Sequence, residues 1–181
     1  EGADELSLRS ISRSLGVDAA AAYRHYRNKS DLLAAVAAVG FLELREAMRN
    51  AGAAAARPPA DRLCTLGRAY AAYGMAHPRL YRLMFGGLCT TAQIRAAIVA
   101  ADPGYDALGP FEILSEVLDE LWSKGALAPT ARQGAEFEIW CAMHGLVSLL
   151  IDGRGPYPAA VAGERVERHL RTLVSGWRPA T

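Results

Sequence analysis

The chain has 181 residues, 51% of them hydrophobic and 22% charged, with a formal net charge of +1. That is ample apolar content for a core and excludes disorder as the default. No apolar run reaches the ~18–20 residues that a membrane helix needs, and the longest, Ile139 to Ile151, is interrupted by His144, Gly145 and Ser148. Cys64, Cys89 and Cys141 are odd in number, widely spaced and without a C-x-x-C. They give neither a disulfide framework nor a zinc site, and with no leader peptide in view a reduced, cytoplasmic protein is expected.

The first elements are short helices. Ser7 is placed to cap one, with Leu6 and Ile11 at the two positions of a hydrophobic staple. Leu8, Ile11 and Leu15 then recur at i, i+3 and i+7, one apolar stripe. Gly16 stops this helix, and Asp18 caps a second that runs through Ala19, Ala20, Ala21 and Ala22 to Tyr26. Helix, glycine turn, short helix is the sequence form of a helix-turn-helix. A third helix is expected from Asn28, a cap with Asp31 as its reciprocal partner. Lys29 then opens that helix, where the macrodipole disfavours a cation. A lysine there makes sense if an anion lies against the helix start; taken alone, a solvated surface lysine is the plainer reading. The surrounding charge bears on the choice. Between positions 9 and 29 stand Arg9, Arg13, Arg24, Arg27 and Lys29 against the single acid Asp18, a local net charge of +4.

The run from Ser7 to Val36 resembles the DNA-binding domain of TetR-family transcriptional regulators. The resemblance rests on Leu15, Gly16, Val17, Asp18, Tyr23, His25, Tyr26, Lys29, Leu32 and Leu33 at the family's fixed spacing. It implies that the helix from Asp18 to Tyr26 enters the major groove while the preceding helix, opened by Ser7, crosses the backbone. Tyr23, His25 and Lys29 match positions that touch phosphates, which place the protein without reading sequence. Arg24 and Arg9 are in reach of base edges, whereas Ala19, Ala20 and Ala21 face the bases with nothing but methyl groups. Tyr26 is expected in the core. The family pattern also has a further helix ahead of residues 1–7, so the given sequence is expected to begin inside the first domain.

No period-two pattern appears later, and the fold class expected is all-α. Two domains are expected, 1–50 with the helix-turn-helix and a connector helix, and 58–178. The connector, from Asp31 to about Asn50, carries Leu32, Leu33, Val36, Val39 and Leu42 on its apolar side. Pro58 and Pro59 end it. From Asp61 a helix shows Leu63, Leu66, Tyr70 and Tyr73 on one stripe and ends near His77-Pro78. Arg79 to Phe85 and Thr91 to Ala100 are short helices, bounded by Gly86-Gly87 and by Asp102-Pro103-Gly104. Tyr105 to Lys124 follows, with Phe111, Leu114, Leu118, Leu121 and Trp122 as its apolar side and Gly125 as its stop. The last two helices, 132–151 and 159–177, have wide apolar faces: the first is apolar nearly all round in its second half. The second carries Val166, Leu170, Leu173, Val174 and Trp177 on one stripe. Such faces suit a homodimer in which each subunit gives two helices to a four-helix interface.

His77 to Phe85 and Ile139 to Leu150 resemble the effector domain named for its Trp-His-Gly signature, here Trp140, His144 and Gly145. With the first resemblance this covers almost the whole chain, and it implies a small-molecule effector held among helices by mainly apolar groups. Tyr73, Met84, Phe85, Phe111, Trp122, Phe137, Trp140, Met143 and His144 are the pocket candidates, each of which is also a natural core residue. His144 has Trp140 and Ser148 at helical spacing and reads first as a satisfied core histidine. Bulky aromatics point to a lipophilic or aromatic effector. No metal and no cofactor is expected. His25, His77, His144 and His169 lie on separate elements without a nucleophile motif, so no enzyme is expected. Cys141, in the apolar run, is expected buried and inert.

A ligand-released repressor on a near-palindromic operator of double-stranded DNA is thus the reading the residues favour. The alternative is a helical small-molecule-binding or enzymatic protein whose basic head is incidental. A head that binds DNA while the second domain docks a protein partner is the third.

Overall fold

The computed structural model describes residues 24–53, 57–104 and 109–177, apart from the side chain of Ala159. Among these residues the structure is all-helical. The helices are α1 (Lys29–Gly52), α2 (Pro59–Ala76), α3 (Pro78–Phe85), α4 (Thr91–Ala101), α5 (Gly109–Ser123), α6 (Pro129–Arg132), α7 (Ala135–Ile151) and α8 (Ala162–Gly176). A 3₁₀ turn, Ala159–Val161, leads into α8. No helix among the described residues is long and apolar enough to cross a membrane.

The described residues form two compact units that interleave along the chain, where the expected domains, 1–50 and 58–178, follow one another. One unit holds the residues up to Leu42 and those from Arg79 to Gly104; the other holds Glu43 to Pro78 and the residues from Gly109 onwards. Glycine explains how α3 returns to the first unit. A Cβ at Gly40 would lie 2.6 Å from the Met84 sulfur and 3.1 Å from Leu80, so α3 seats directly on the backbone of α1. Phe85 closes the contact edge-on to Phe41 at 5.2 Å and against Tyr81 at 4.8 Å. Leu33, Ala34, Ala37 and Ala38 form the buried face of this half of α1, and Ile94 and Ile98 that of α4. Val36 and Val39, expected on the apolar side, are 41% and 50% exposed. The small alanines let neighbouring helices approach closely, and that closeness outweighs the larger transfer energy of two valines.

In the second unit α2 is the central helix, and α8, α5 and α7 all pack on it. Its expected stripe, Leu63, Leu66, Tyr70 and Tyr73, is buried. A Cβ at Gly67 would lie 2.4 Å from Leu170 Cδ1 and 2.8 Å from Val166 Cγ1, so α8 and α2 meet backbone to side chain. The α8 stripe that the sequence assigned to a dimer interface is therefore largely spent inside the chain: Val166, Leu170 and Val174 are buried. Leu173 and Trp177 are half-buried.

The helix expected from Arg132 is two helices. Gly134, at a φ of 79°, takes the left-handed conformation that a side chain would strain, and α7 starts after it. Arg132 bolts the junction, its Nε 2.7 Å from Asp119 Oδ1 and its Nη1 3.0 Å from Glu136 Oε2. From there α7 buries Ala135, Ile139, Met143, Val147 and Leu150 on one face. Phe137, Cys141 and Leu149 stand exposed on the other, which corrects the expectation that Cys141 is buried.

Candidate functional site

On the head side the described residues begin at Arg24, so Ser7, Arg9, Ala19, Ala20, Ala21 and Tyr23 lie outside them. Arg24 and His25 are helical and exposed, and Tyr26 is half-buried. Asn28 caps α1 as its residue type demands, its side-chain oxygen accepting the Asp31 N–H at 2.8 Å. Lys29 is the first helical residue. The Asp31 carboxylate, expected to reach back to the cap, instead takes Arg27, whose Nε donates to it at 2.8 Å. The Arg27 side chain is 88% exposed. Four basic or ionisable groups, Arg24, His25, Arg27 and Lys29, thus stand within six residues around the start of α1. Arg27 counted toward the local charge but was not among the assigned DNA contacts; its place between His25 and Lys29 was the available signal.

The start of α4 meets this same turn. Thr90 caps α4 in a full capping box, accepting the Gln93 N–H at 3.2 Å while its own N–H donates to Gln93 Oε1 at 2.9 Å. The other end of the Gln93 amide, Nε2, donates to Ser30 Oγ at 2.9 Å. Cys89 is buried, and its thiol lies 3.7 Å from the Ser30 carbonyl oxygen. Burial pushes that thiol up, which keeps it a donor.

The effector candidates do not form one group. Met84 and Phe85 belong to the first unit and serve its packing. In the second, Met143 is core, within reach of Gly67. Tyr73 donates its hydroxyl to Glu43 Oε2 at 3.0 Å and lies 4.8 Å from the His77 ring; burial, and then Glu43, push its phenol strongly up. Trp122 and Phe137 are 49% and 58% exposed. The structure does bring together Phe111, Phe137, Trp140 and His144. Trp140 lies 5.5 Å from Phe111 and 5.9 Å from Phe137, and it stacks on His144 at 5.2 Å and 28°.

His144 is held at both nitrogens. Tyr70 Oη lies 3.1 Å from Nδ1, and Ser148 Oγ lies 3.4 Å from Nε2. Burial lowers its pKa, so the ring is neutral at neutral pH and offers one donor and one acceptor. Tyr70 is the residue that sequence reasoning missed here. A fully buried tyrosine needs a polar partner for its hydroxyl, but no pattern points 74 residues ahead to His144.

A separate, open groove of about 510 Å³ runs along α8 between Glu164, Glu167, Arg168, Arg171, Thr172 and Ser175. Its lining side chains are charged or hydroxyl-bearing, with Arg171 bridging Glu167 at 2.9 Å and Asp61 at 3.0 Å, and no effector candidate is among them. Among the described residues no set of His, Cys, Asp and Glu is placed to hold a metal ion.

Comparison with known proteins gives two family matches. Residues 1–36 match the model described as bacterial regulatory proteins, tetR family. Residues 63–173 match that described as tetracyclin repressor-like, C-terminal domain. No curated protein matches the chain. Among solved structures, a protein with unknown function from a Rhodococcus species superposes with a TM-score of 0.76 at 26% identity, over 97% of this chain and 87% of that one. The TetR family transcriptional regulator PfmR from Thermus thermophilus superposes with a TM-score of 0.69 at 20% identity, over 93% of this chain and 90% of that one. At that identity the second likeness concerns the fold alone.

Proposed function

The chain belongs to the TetR family of bacterial regulatory proteins, and from that premise we propose that this DNA-binding transcriptional regulator is a cytoplasmic, ligand-released repressor. The observation that carries the reading is the coincidence of the N-terminal family match with the cationic turn Arg24, His25, Arg27 and Lys29. In this reading Tyr23, His25 and Lys29 grip phosphates, and Arg24 and Arg9 read base edges beside the methyl groups of Ala19, Ala20 and Ala21. The protein acts as a homodimer through its last two helices, α7 giving its exposed apolar face and α8 the side left outside its contact with α2, with heads about one helical turn, ~34–36 Å, apart on a near-palindromic operator. The outer face of α7, with Phe137, Cys141 and Leu149 exposed, supports that choice of helix. The effector domain is of the Trp-His-Gly type. Its ligand is lipophilic or aromatic, packed on the rings of Phe111 and Trp140 beside His144, and it releases the operator by binding the two forms unequally.

The test is binding of the chain to DNA from its own upstream region across a salt series. Tight binding to one short inverted repeat is expected, with affinity falling by ~0.9 log units per log unit of salt for each phosphate neutralised. Arg24→Ala should erode the preference for that repeat over random DNA. Binding that is weak and indifferent to sequence sinks the repressor reading.

A further inference from the structure

We propose that Gln93 is a positioning residue for DNA binding: through Ser30 it holds the first turn of α1 where Lys29 meets phosphate. The proposal rests on the reading of Lys29 as a phosphate contact.

Ser30 follows Lys29 directly and is gripped from outside its own helix at two points, the side chain by Gln93 Nε2 at 2.9 Å and the carbonyl oxygen by the Cys89 thiol at 3.7 Å. The amide orientation is fixed chemically. The Thr90 backbone N–H is a donor only, so the end of Gln93 that faces it is the oxygen, and the nitrogen points to Ser30. From inside α1 the same turn is held by Asn28 on the Asp31 N–H. Lys29 therefore sits between an internal cap and an external clamp.

The clamp comes from elsewhere in the chain's organisation. Residues 1–36 carry the DNA-binding match, whereas Cys89, Thr90 and Gln93 fall inside 63–173, the match to the C-terminal domain. Yet Ser30 and Gln93 share one compact unit. Here is a polar contact between the two family modules, one residue away from a DNA-binding lysine. Any displacement of the start of α4 reaches the residue beside that lysine through the Gln93 amide and the Cys89 thiol.

The test uses the full chain and a random-sequence duplex of about thirty base pairs at several salt concentrations, because phosphate contacts are independent of sequence. Ser30→Ala removes the acceptor and leaves the α4 capping box whole. It should weaken binding about two- to tenfold, the usual worth of one hydrogen bond. It should also reduce the salt slope by up to about 1, the loss expected when one phosphate contact goes. Gln93→Ala should do the same. In a Lys29→Ala background Ser30→Ala should change nothing further. The clamp is refuted if Lys29→Ala weakens binding while Ser30→Ala does not. It is also refuted if Ser30→Ala costs the same factor with and without Lys29, or if it lowers the thermal midpoint and leaves the salt slope untouched. If Lys29→Ala itself binds as the parent does, the phosphate role of Lys29 falls, and the clamp with it.

Discussion

Gly67→Ala probes the contact on which the second unit is built. The added methyl would stand 2.4 Å from Leu170 Cδ1, 2.8 Å from Val166 Cγ1 and 3.3 Å from the Met143 sulfur. Carbon atoms pack best at ~3.5–4.0 Å, so two of these contacts overlap by roughly 1 Å. Leu170, Val166 and Met143 are 0%, 1% and 2% exposed, so none has solvent to turn into, and the strain falls on the α2–α8 spacing. Overpacking of this kind costs about 1–3 kcal/mol, with two branched neighbours placing it in the upper half. Alanine returns about 1 kcal/mol through its better helix propensity. The net expectation is a loss of about 1–2 kcal/mol, and at about 2–4 °C per kcal/mol a midpoint lower by some 2–8 °C. Urea titration and a thermal scan at one fixed protein concentration measure it, since association shifts apparent stability. A variant as stable as the parent, or more stable, would show that α8 does not sit against Gly67 and would undo the packing argument.

Two further outcomes follow from side chains of α7. Phe137 is 58% exposed, so Phe137→Glu should leave the urea midpoint of a dilute sample nearly unchanged while placing a charge on the proposed association face. Sedimentation velocity should find the parent dimeric and the variant shifted to monomer; equal dimer fractions would remove this face from the interface. His144 gives a pH dependence. Burial holds its folded-state pKa below the unfolded value of about 6.5, so between the two values the unfolded chain binds the extra proton. Its contribution to stability is therefore present above pH ~6.5 and declines as the pH falls toward the folded value. Urea midpoints between about pH 5 and 7.5 should show that decline flattened in His144→Gln; superimposable profiles would mean that the ring does not titrate in this way.

What the sequence disclosed was whatever a local pattern can carry. The Leu63, Leu66, Tyr70 and Tyr73 stripe names its own buried face, and Asn28 advertises a cap three residues ahead of the N–H it accepts. The TetR signature named the family because fixed spacing is itself the signal. A stripe does not say what covers it. The α8 residues Val166 and Leu170 look the same whether they meet a second copy or α2, and only the bare backbone at Gly67 decides for α2. Val36 and Val39 mislead for the same reason, since hydropathy ranks them above the alanines that the close packing selects. The sequence reads one helix over 132–151, although a glycine such as Gly134 suits a break as well as a helix; the ion pairs of Arg132 with Asp119 and Glu136 belong to the broken form. The contacts that organise the candidate sites, Tyr70 to His144 and Gln93 to Ser30, span 74 and 63 residues, and no periodicity reaches so far.

The unequal burial of the three thiols makes the chain its own labelling reagent. Cys64 and Cys89 are shut away, and burial pushes both thiols up, so neither presents an accessible thiolate. Cys141 alone is exposed, one residue from Trp140 and one helical turn from both Phe137 and Gly145. A maleimide dye therefore attaches at a single place without any substitution. It comes to rest beside an indole that can quench it, on the helix face proposed for association, so one fluorophore tests both the proposed effector cluster and the proposed assembly.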